Sequence, residues 1–210
     1  MRRFVWHTVM LALLWSMATI PVARATAGIS VVWDAPGQTS LPGDPVVALT
    51  FDDGPDPTYT PQILDILGRY QVPATFFVVG RQGSKYPQLL QAEAADGDAV
   101  GNHTWDHVNL TTTPVDSYRH EVDDVSDLIE AQTGSRPVCL RAPGGRVDDL
   151  VVHQVADRGL ATVGWSVDPQ DWARPSADAI VSRVLNAARA GSIIELHDGG
   201  GDRSQTIAAL

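Results

Sequence analysis

The sequence is short of cysteine, of positive charge and, past its first residues, of long apolar runs. Cys139 is the only cysteine, so no intrachain disulfide can form and stability must come from a hydrophobic core. It stands between Val138 and Leu140 in a short apolar run, the setting of a small buried side chain rather than an exposed nucleophile. Basic residues number 15 against 25 acidic ones, a formal charge of −10. An acidic surface of that kind argues against nucleic acid as a partner and tolerates a neutral or cationic glycan. Neither an internal repeat nor a low-complexity stretch occurs. With 44% hydrophobic and 19% charged residues over 210 positions, the balance is that of one globular domain.

The one long apolar run lies at the start, from Phe4 to Ile20, behind Arg2 and Arg3 and ahead of Val22-Ala23-Arg24-Ala25. That order reads as a secretory signal peptide over residues 1–25, cleaved after Ala25 or Ala27. The alternative is an uncleaved membrane anchor, since about 17 to 25 apolar residues can cross a bilayer. Both place the remainder outside the cytoplasm, secreted or associated with the cell wall. Loss of Arg2, Arg3 and Arg24 with no acid moves the formal charge from −10 to −13. Residues 26–44, rich in Gly, Pro and Asp, read as an N-terminal arm.

From Pro45 onward, short β-rich runs alternate with helical patterns, which means parallel strands joined by crossover helices. Strands are expected near 46–51, 74–79, 99–102, 138–140, 161–165 and 192–196, with helices near 61–70, 87–96, 116–133, 148–158 and 177–190. The helical period is carried by Ile63, Leu64, Ile66 and Leu67, and by Val122, Val125, Leu128 and Ile129, with Gly134 as a stop. Asp52, Asp53, His103, Arg141, Asp168 and His197 each follow the carboxyl end of an expected strand. In a parallel α/β barrel those ends share the face that carries chemistry.

Thr50-Phe51-Asp52-Asp53-Gly54-Pro55 places two carboxylates side by side before a turn. They repel unless a positive group sits beside them. An Asp-Gly-Pro turn after a strand is equally a common solvated loop. In His103-Thr104-Trp105-Asp106-His107 two histidines four apart would share one face of a helical turn and could offer two ring nitrogens to one metal. Such pairs also arise by chance, but with Asp53 they make two imidazoles and a carboxylate with room for water, the open form of a catalytic zinc site. His197-Asp198 brings an imidazole to the same rim, where it suits a proton donor. His7 falls in the leader, and His120 and His153 fall within expected helices as surface or packing residues.

Five motifs together resemble the polysaccharide deacetylases of carbohydrate esterase family four, the NodB homology domain. They are Thr50-Phe51-Asp52-Asp53-Gly54-Pro55, His103-Thr104-Trp105-Asp106-His107, Arg141-Ala142-Pro143-Gly144-Gly145, Asp168-Pro169-Gln170-Asp171-Trp172 and Leu196-His197-Asp198. The resemblance covers the catalytic domain over residues 45–210. It implies an α/β fold, a distorted, incomplete (β/α) barrel of mainly parallel strands that is TIM-barrel-like. It implies Asp52 as general base and His197 as general acid. Asp53, His103 and His107 would be the metal ligands. Asp171 would orient His197, and Arg141 would pair with Asp52. These environments push a carboxylate and an imidazole apart into base and acid. Pro143 and Gly144 would place a backbone N–H at the oxyanion, while Trp172 and Leu196 would contact substrate. Thr104 would fix the histidine loop. The alternative for Trp172 is ordinary core packing.

Three departures stand out. Gly144 replaces the tyrosine that relatives often carry, and Glu195 replaces a leucine that lines the acetyl pocket, where an unpaired buried carboxylate is costly. The chain also ends at Leu210, earlier than the family pattern, so we expect an open barrel edge.

The resulting expectation is metal-dependent hydrolysis of acetyl groups from a cell-wall or extracellular polysaccharide, with an N-acetylglucosamine polymer such as peptidoglycan or chitin oligosaccharide ahead of acetylated xylan. The cofactor is a divalent cation, zinc first, with cobalt, nickel and manganese also suited to two imidazoles and a carboxylate. The partner is the acetylated glycan, with no nucleic acid and no protein partner, and a membrane only if the leader stays attached. The competing reading is a glycan-binding module that keeps the fold and has lost turnover. A glycosidase using Asp52 and Asp53 ranks last, because adjacent carboxylates cannot flank a glycosidic bond at the required separation.

Overall fold

Leu49, Phe51, Phe76, Val78, Ile194 and Leu196 alternate along three strands with Thr50, Asp52, Phe77, Glu195 and His197. This period of two gives the sheet an oily outer face and a polar inner one. The computed structural model describes residues 31–33 and 46–210; the leader and most of the expected N-terminal arm lie outside the described residues. The strands are β1 (Ala48–Asp52), β2 (Thr75–Val78), β3 (Ala99–Asn102), β4 (Cys139–Leu140), β5 (Ala161–Thr162) and β6 (Ile193–His197). They form one parallel sheet in the order β5-β4-β3-β2-β1-β6.

The sheet is curled into a half-barrel. Arg141, just past β4, hydrogen-bonds Asp52 at the end of β1 at 2.7 Å, although β3 and β2 lie between them. In a flat sheet three strand spacings would separate the two by about 14 Å, beyond the reach of one arginine. Single bridges extend both ends of the sheet, Val32 to Val163 beyond β5 and Val167 to Ile194 beside β6.

Seven helices accompany the strands among the described residues: α1 (Thr60–Tyr70), α2 (Gly80–Lys85), α3 (Pro87–Ala95), α4 (Asp124–Thr133), α5 (Asp149–Ala156), α6 (Ala177–Ala187) and α7 (Ser204–Ala209). In α1, Pro61 sits at the start, where its missing N–H is harmless. Ile63, Leu64 and Leu67 bury one face, and Gln71 at φ 55° closes the helix. Those residues join Phe51, Phe76, Leu90, Val125, Ile129, Ile180, Ile194 and Leu196 in the main core. Each such side chain contributes about 1.5–3 kcal/mol by burial, and Phe51→Ala would cost about 3–5 kcal/mol. A second core of Leu110, Tyr118, Val122, Leu140, Val151 and Val155 lies under β4.

The continuous helix expected over 116–133 is instead a 3-10 turn (Val115–Ser117), a π-helical turn (Arg119–Asp123) and then α4. The irregularity has a local cause. The Val122 carbonyl takes hydrogen bonds from Asn102 Nδ2 at 2.8 Å and Ser126 Oγ at 2.9 Å, and Glu121 turns inward to hold the histidine loop. The strand expected over 161–165 stops at Thr162. Beyond it Gly164 donates to Val32 O and packs beneath the Trp33 ring, where any side chain would collide. Helices α2 and α7 have six residues each, too few for a periodic signal.

Candidate active site

Asp52 is the last residue of β1 and points into the concave face, where it is 2% exposed. Its Oδ1 accepts from Arg141 Nη1 at 2.7 Å. Nη1 also donates to Thr50 Oγ1 at 2.8 Å, and Nη2 to Gly164 O at 2.9 Å. The guanidinium lies 4.2 Å over the Phe77 ring. Arg141 is fully buried, so its charge and that of Asp52 offset each other in a setting where either alone would be costly.

A continuing strand would turn Asp53 away from Asp52. Instead Asp53 adopts φ 74°, a left-handed turn that Asp tolerates better than most residues. Its carboxyl thereby swings back to the same centre. The loop after β6 packs directly on it: a side chain on Gly200 would run into Asp53 Oδ2, and one on Gly199 into the Asp53 backbone.

His103 and His107 do not share a helical turn, contrary to the spacing argument. They stand in a loop in which Thr104 (φ 64°) and His107 (φ 58°) are left-handed. Asn102 Oδ1 accepts from Thr104 N at 2.9 Å, Val108 N donates to Thr104 Oγ1 at 3.3 Å, and Glu121 Oε2 accepts from Trp105 N and Asp106 N at 3.0 Å each. This bonding folds the loop back on itself and brings the two imidazole centroids within 5.0 Å.

His103 Nδ1 lies 2.7 Å from Arg141 O. A carbonyl can only accept, so Nδ1 carries the proton and a neutral ring presents the Nε2 lone pair. That Nε2 is 3.5 Å from Asp53 Oδ1, and His107 Nε2 is 3.0 Å from the same oxygen. Oδ1 is buried and has no hydrogen-bond partner. Two ring nitrogens and an orphaned carboxylate oxygen converging on one point fit a divalent cation. Asp53, His103 and His107 form one of two potential ligand clusters among the described residues; the other is Asp106, His120 and Glu121. In that second cluster Glu121 Oε2 is already committed to two backbone N–H groups, and His120 Nδ1 to Asp124 at 3.0 Å.

His197 ends β6 in register with Asp52. Its Nδ1 is 2.7 Å from Asp171 Oδ1. Asp171 Oδ2 accepts from the His197 backbone N–H at 3.0 Å and from Thr206 Oγ1 at 2.7 Å. Burial acts to lower the His197 pKa, but the Asp171 hydrogen bond and the charges of Asp171, Asp52 and Asp53 outweigh it and push it up to about 9. Burial likewise acts to raise Asp171, yet its contacts with His197 and Thr206 hold it below the usual carboxylate value. His197 is therefore poised to donate a proton.

These groups line a cavity of about 270 Å³ with Asp52, Asp53, His103, His107 and His197 on one side and Trp165, Trp172, Gly144, Asp168 and Glu195 around the rest. Trp172 is 51% exposed, which rules out ordinary core packing for it. Gly144 at φ 62° lies in the turn Pro143–Gly145, with Pro143 buried behind it. Leu196 is misplaced by the sequence reading: it faces the helices and packs in the main core. Glu195, one residue earlier, lines the cavity instead. Strand alternation from His197 was the available signal, because residues 195 and 197 must share a face that 196 cannot. Burial, then the charge of Asp52, push the Glu195 carboxyl up to about 8, with His197 opposing. Trp165 was also missed; it lies 5.5 Å from the Arg141 guanidinium, and nothing in its local sequence marks it.

The family profile described as Polysaccharide deacetylase matches residues 40–163. The chain belongs to the polysaccharide deacetylase family. It is 40% identical over 182 residues to a peptidoglycan-N-acetylglucosamine deacetylase of Bacillus cereus, covering 86% of this chain and 83% of that protein. It is 44% identical over 185 residues to a chitooligosaccharide deacetylase of Sinorhizobium fredii, covering 80% and 83%. Among solved structures, a peptidoglycan N-acetylglucosamine deacetylase superposes with a TM-score of 0.79 at 34% identity, over 85% of this chain and 82% of that one. A CE4 family pseudoenzyme from Bacillus anthracis superposes at 0.78 with 29% identity, over 87% and 62%. The family's (β/α) barrel accounts for the half-barrel seen in the polysaccharide deacetylase domain here.

Proposed function

We propose that the chain is a metal-dependent hydrolase that removes acetyl groups from an N-acetylglucosamine polymer of the peptidoglycan or chitin-oligosaccharide type. One observation carries the reading: the orphaned Asp53 Oδ1 and the Nε2 atoms of His103 and His107 converge on a point that opens into the cavity shared by Asp52 and His197. Asp53, His103 and His107 would hold the cation, zinc first, with cobalt, nickel or manganese compatible with the same ligands. Such a cation supplies Lewis acidity toward water and the acyl oxygen.

The remaining chemistry belongs to the side chains. Asp52, held by Arg141 at 2.7 Å, takes a proton from the attacking water. The water oxygen bonds to the acyl carbon, and the N–H of Gly144 donates to the oxygen that gains charge. His197 then protonates the sugar nitrogen as the C–N bond breaks, leaving acetate and a free amine. Trp172 offers a face to the pyranose ring. A secreted or wall-associated location belongs to the same proposal and rests on the leader-like order of residues 1–25.

The test is acetate release from N-acetylated chitooligosaccharides and from peptidoglycan, with the protein chelated and then reconstituted with each metal. Release that requires the metal supports the reading, and metal-independent release or none removes it. A second reading, a glycan-binding module without turnover, draws support from the carboxyl of Glu195 in the cavity; glycan binding with no acetate from any substrate would establish it.

A further inference from the structure

Glu195 occupies a place that the proposed reaction does not use. It pairs with Thr50 in the β1–β6 register, while His197 pairs with Asp52. Thr50 and Glu195 therefore form the layer of the concave face immediately beneath the Asp52–His197 layer, about 7 Å deeper along the strands. The Thr50 hydroxyl donates to Ile194 O and accepts from Arg141, so it has no proton left to give Glu195. The carboxyl of Glu195 has only charges and burial acting on it, with no hydrogen bond or ion pair among the described residues. Even so, the residue is 5% exposed and borders the cavity.

A polymer enters from the open rim and cannot pass beyond the reacting carbonyl. Only the end of the acyl group reaches the layer below. There an acetyl methyl would press on a carboxyl and displace its water without replacing the hydrogen bonds, an unfavourable exchange. A hydroxyl on that carbon would satisfy it, whichever protonation state Glu195 holds, since a hydroxyl both donates and accepts.

We propose that Glu195 selects for a hydroxyl-bearing acyl group, so that the N-hydroxyacetyl (glycolyl) form of the sugar is hydrolysed in preference to the N-acetyl form. Water adds to the acyl carbon, the C–N bond breaks, and glycolate and the amine leave, with no further reactant. The inference rests on the deacylase reading above.

The test measures kcat/KM for paired chitooligosaccharides that differ only in N-acetyl against N-glycolyl, using metal-loaded wild-type, Glu195→Leu and Glu195→Gln proteins. Wild type should favour the glycolyl substrate about tenfold or more, as expected where an unpaired polar group penalises the analogue lacking its hydroxyl. Glu195→Gln should keep much of that preference, and Glu195→Leu should reverse it by raising the rate on the acetyl substrate. Because each variant is scored as a ratio, a general loss of folded protein cancels. Turnover of both substrates with a ratio unchanged in Glu195→Leu overturns the role of Glu195 and leaves the deacylase reading standing. No acid released from either substrate by wild type overturns both.

Discussion

Replacing Asp171 with Asn removes the charge behind His197 while keeping a similar shape, and the structure fixes how the consequence should depend on pH. Asp171 holds His197 Nδ1 at 2.7 Å, and against burial its hydrogen bond and charge, with the charges of Asp52 and Asp53, set the imidazole near 9 instead of the ordinary 6.5. Without the carboxylate, burial opposes only the charges of Asp52 and Asp53, and the pKa falls toward the ordinary 6.5. At pH 8 an acid of pKa 9 is about 90% protonated and one of pKa 6.5 about 3%. Asp171→Asn should therefore lower kcat/KM about 30-fold at pH 8 through protonation alone. At pH 6 the same arithmetic leaves the variant about three-quarters protonated, so the protonation penalty nearly vanishes. The assay is acetate release across pH 6 to 10, and the sign is clear: the alkaline limb must move to lower pH. An unmoved limb, or an equal loss at pH 6 and pH 8, would refute the assignment of His197 as the proton donor.

Other perturbations separate the remaining roles. Asp52→Asn should leave bound metal unchanged and reduce turnover by about 10²-fold or more; strong residual activity with full metal occupancy would remove Asp52 as the base. His107→Ala should lower metal stoichiometry measured by elemental analysis, because it deletes a nitrogen 3.0 Å from Asp53 Oδ1; an unchanged stoichiometry contradicts the ligand set. Glu93 is 0% exposed with both carboxyl oxygens unpartnered, and burial, then the charges of Asp198 and Asp98, raise its pKa well above 4.5. The folded chain thus keeps a proton that the unfolded chain releases, and wild type loses stability as pH rises above 4.5. Glu93→Leu should stabilise, by a margin that grows about 1.4 kcal/mol per pH unit while the native carboxyl stays protonated. Each kcal/mol raises Tm about 2–4 °C, so melting curves at several pH values decide it, and a margin independent of pH refutes the titration.

Much of this was legible along the chain because strand alternation and helical spacing are local. Six strands and four of the five expected helices lie within a few residues of their expected ranges, and the fifth is α-helical only from Asp124. The polar residues that interrupt strand ends, Asp52, His103, Arg141 and His197, converge because parallel strands deliver their carboxyl ends to one face. Departures appear where distant groups overrule local preference. The helix before α4 becomes a π turn because Asn102 and Ser126 claim the Val122 carbonyl. The histidine loop is non-helical because Glu121, Asn102 and Thr104 bond it from within and below.

The order of residues alone determined the family's motifs and the parallel α/β architecture, and it marked the candidate site side chains, since these follow from residue types and short periodicities. Tertiary structure alone decided that Arg141 reaches Asp52 across two strands, that His103 presents Nε2, and that His103 meets His107 through a folded loop and not a helical turn. The physical reason is that the curl of the sheet and the path of a loop arise from contacts between residues far apart in the chain, and no local pattern encodes them.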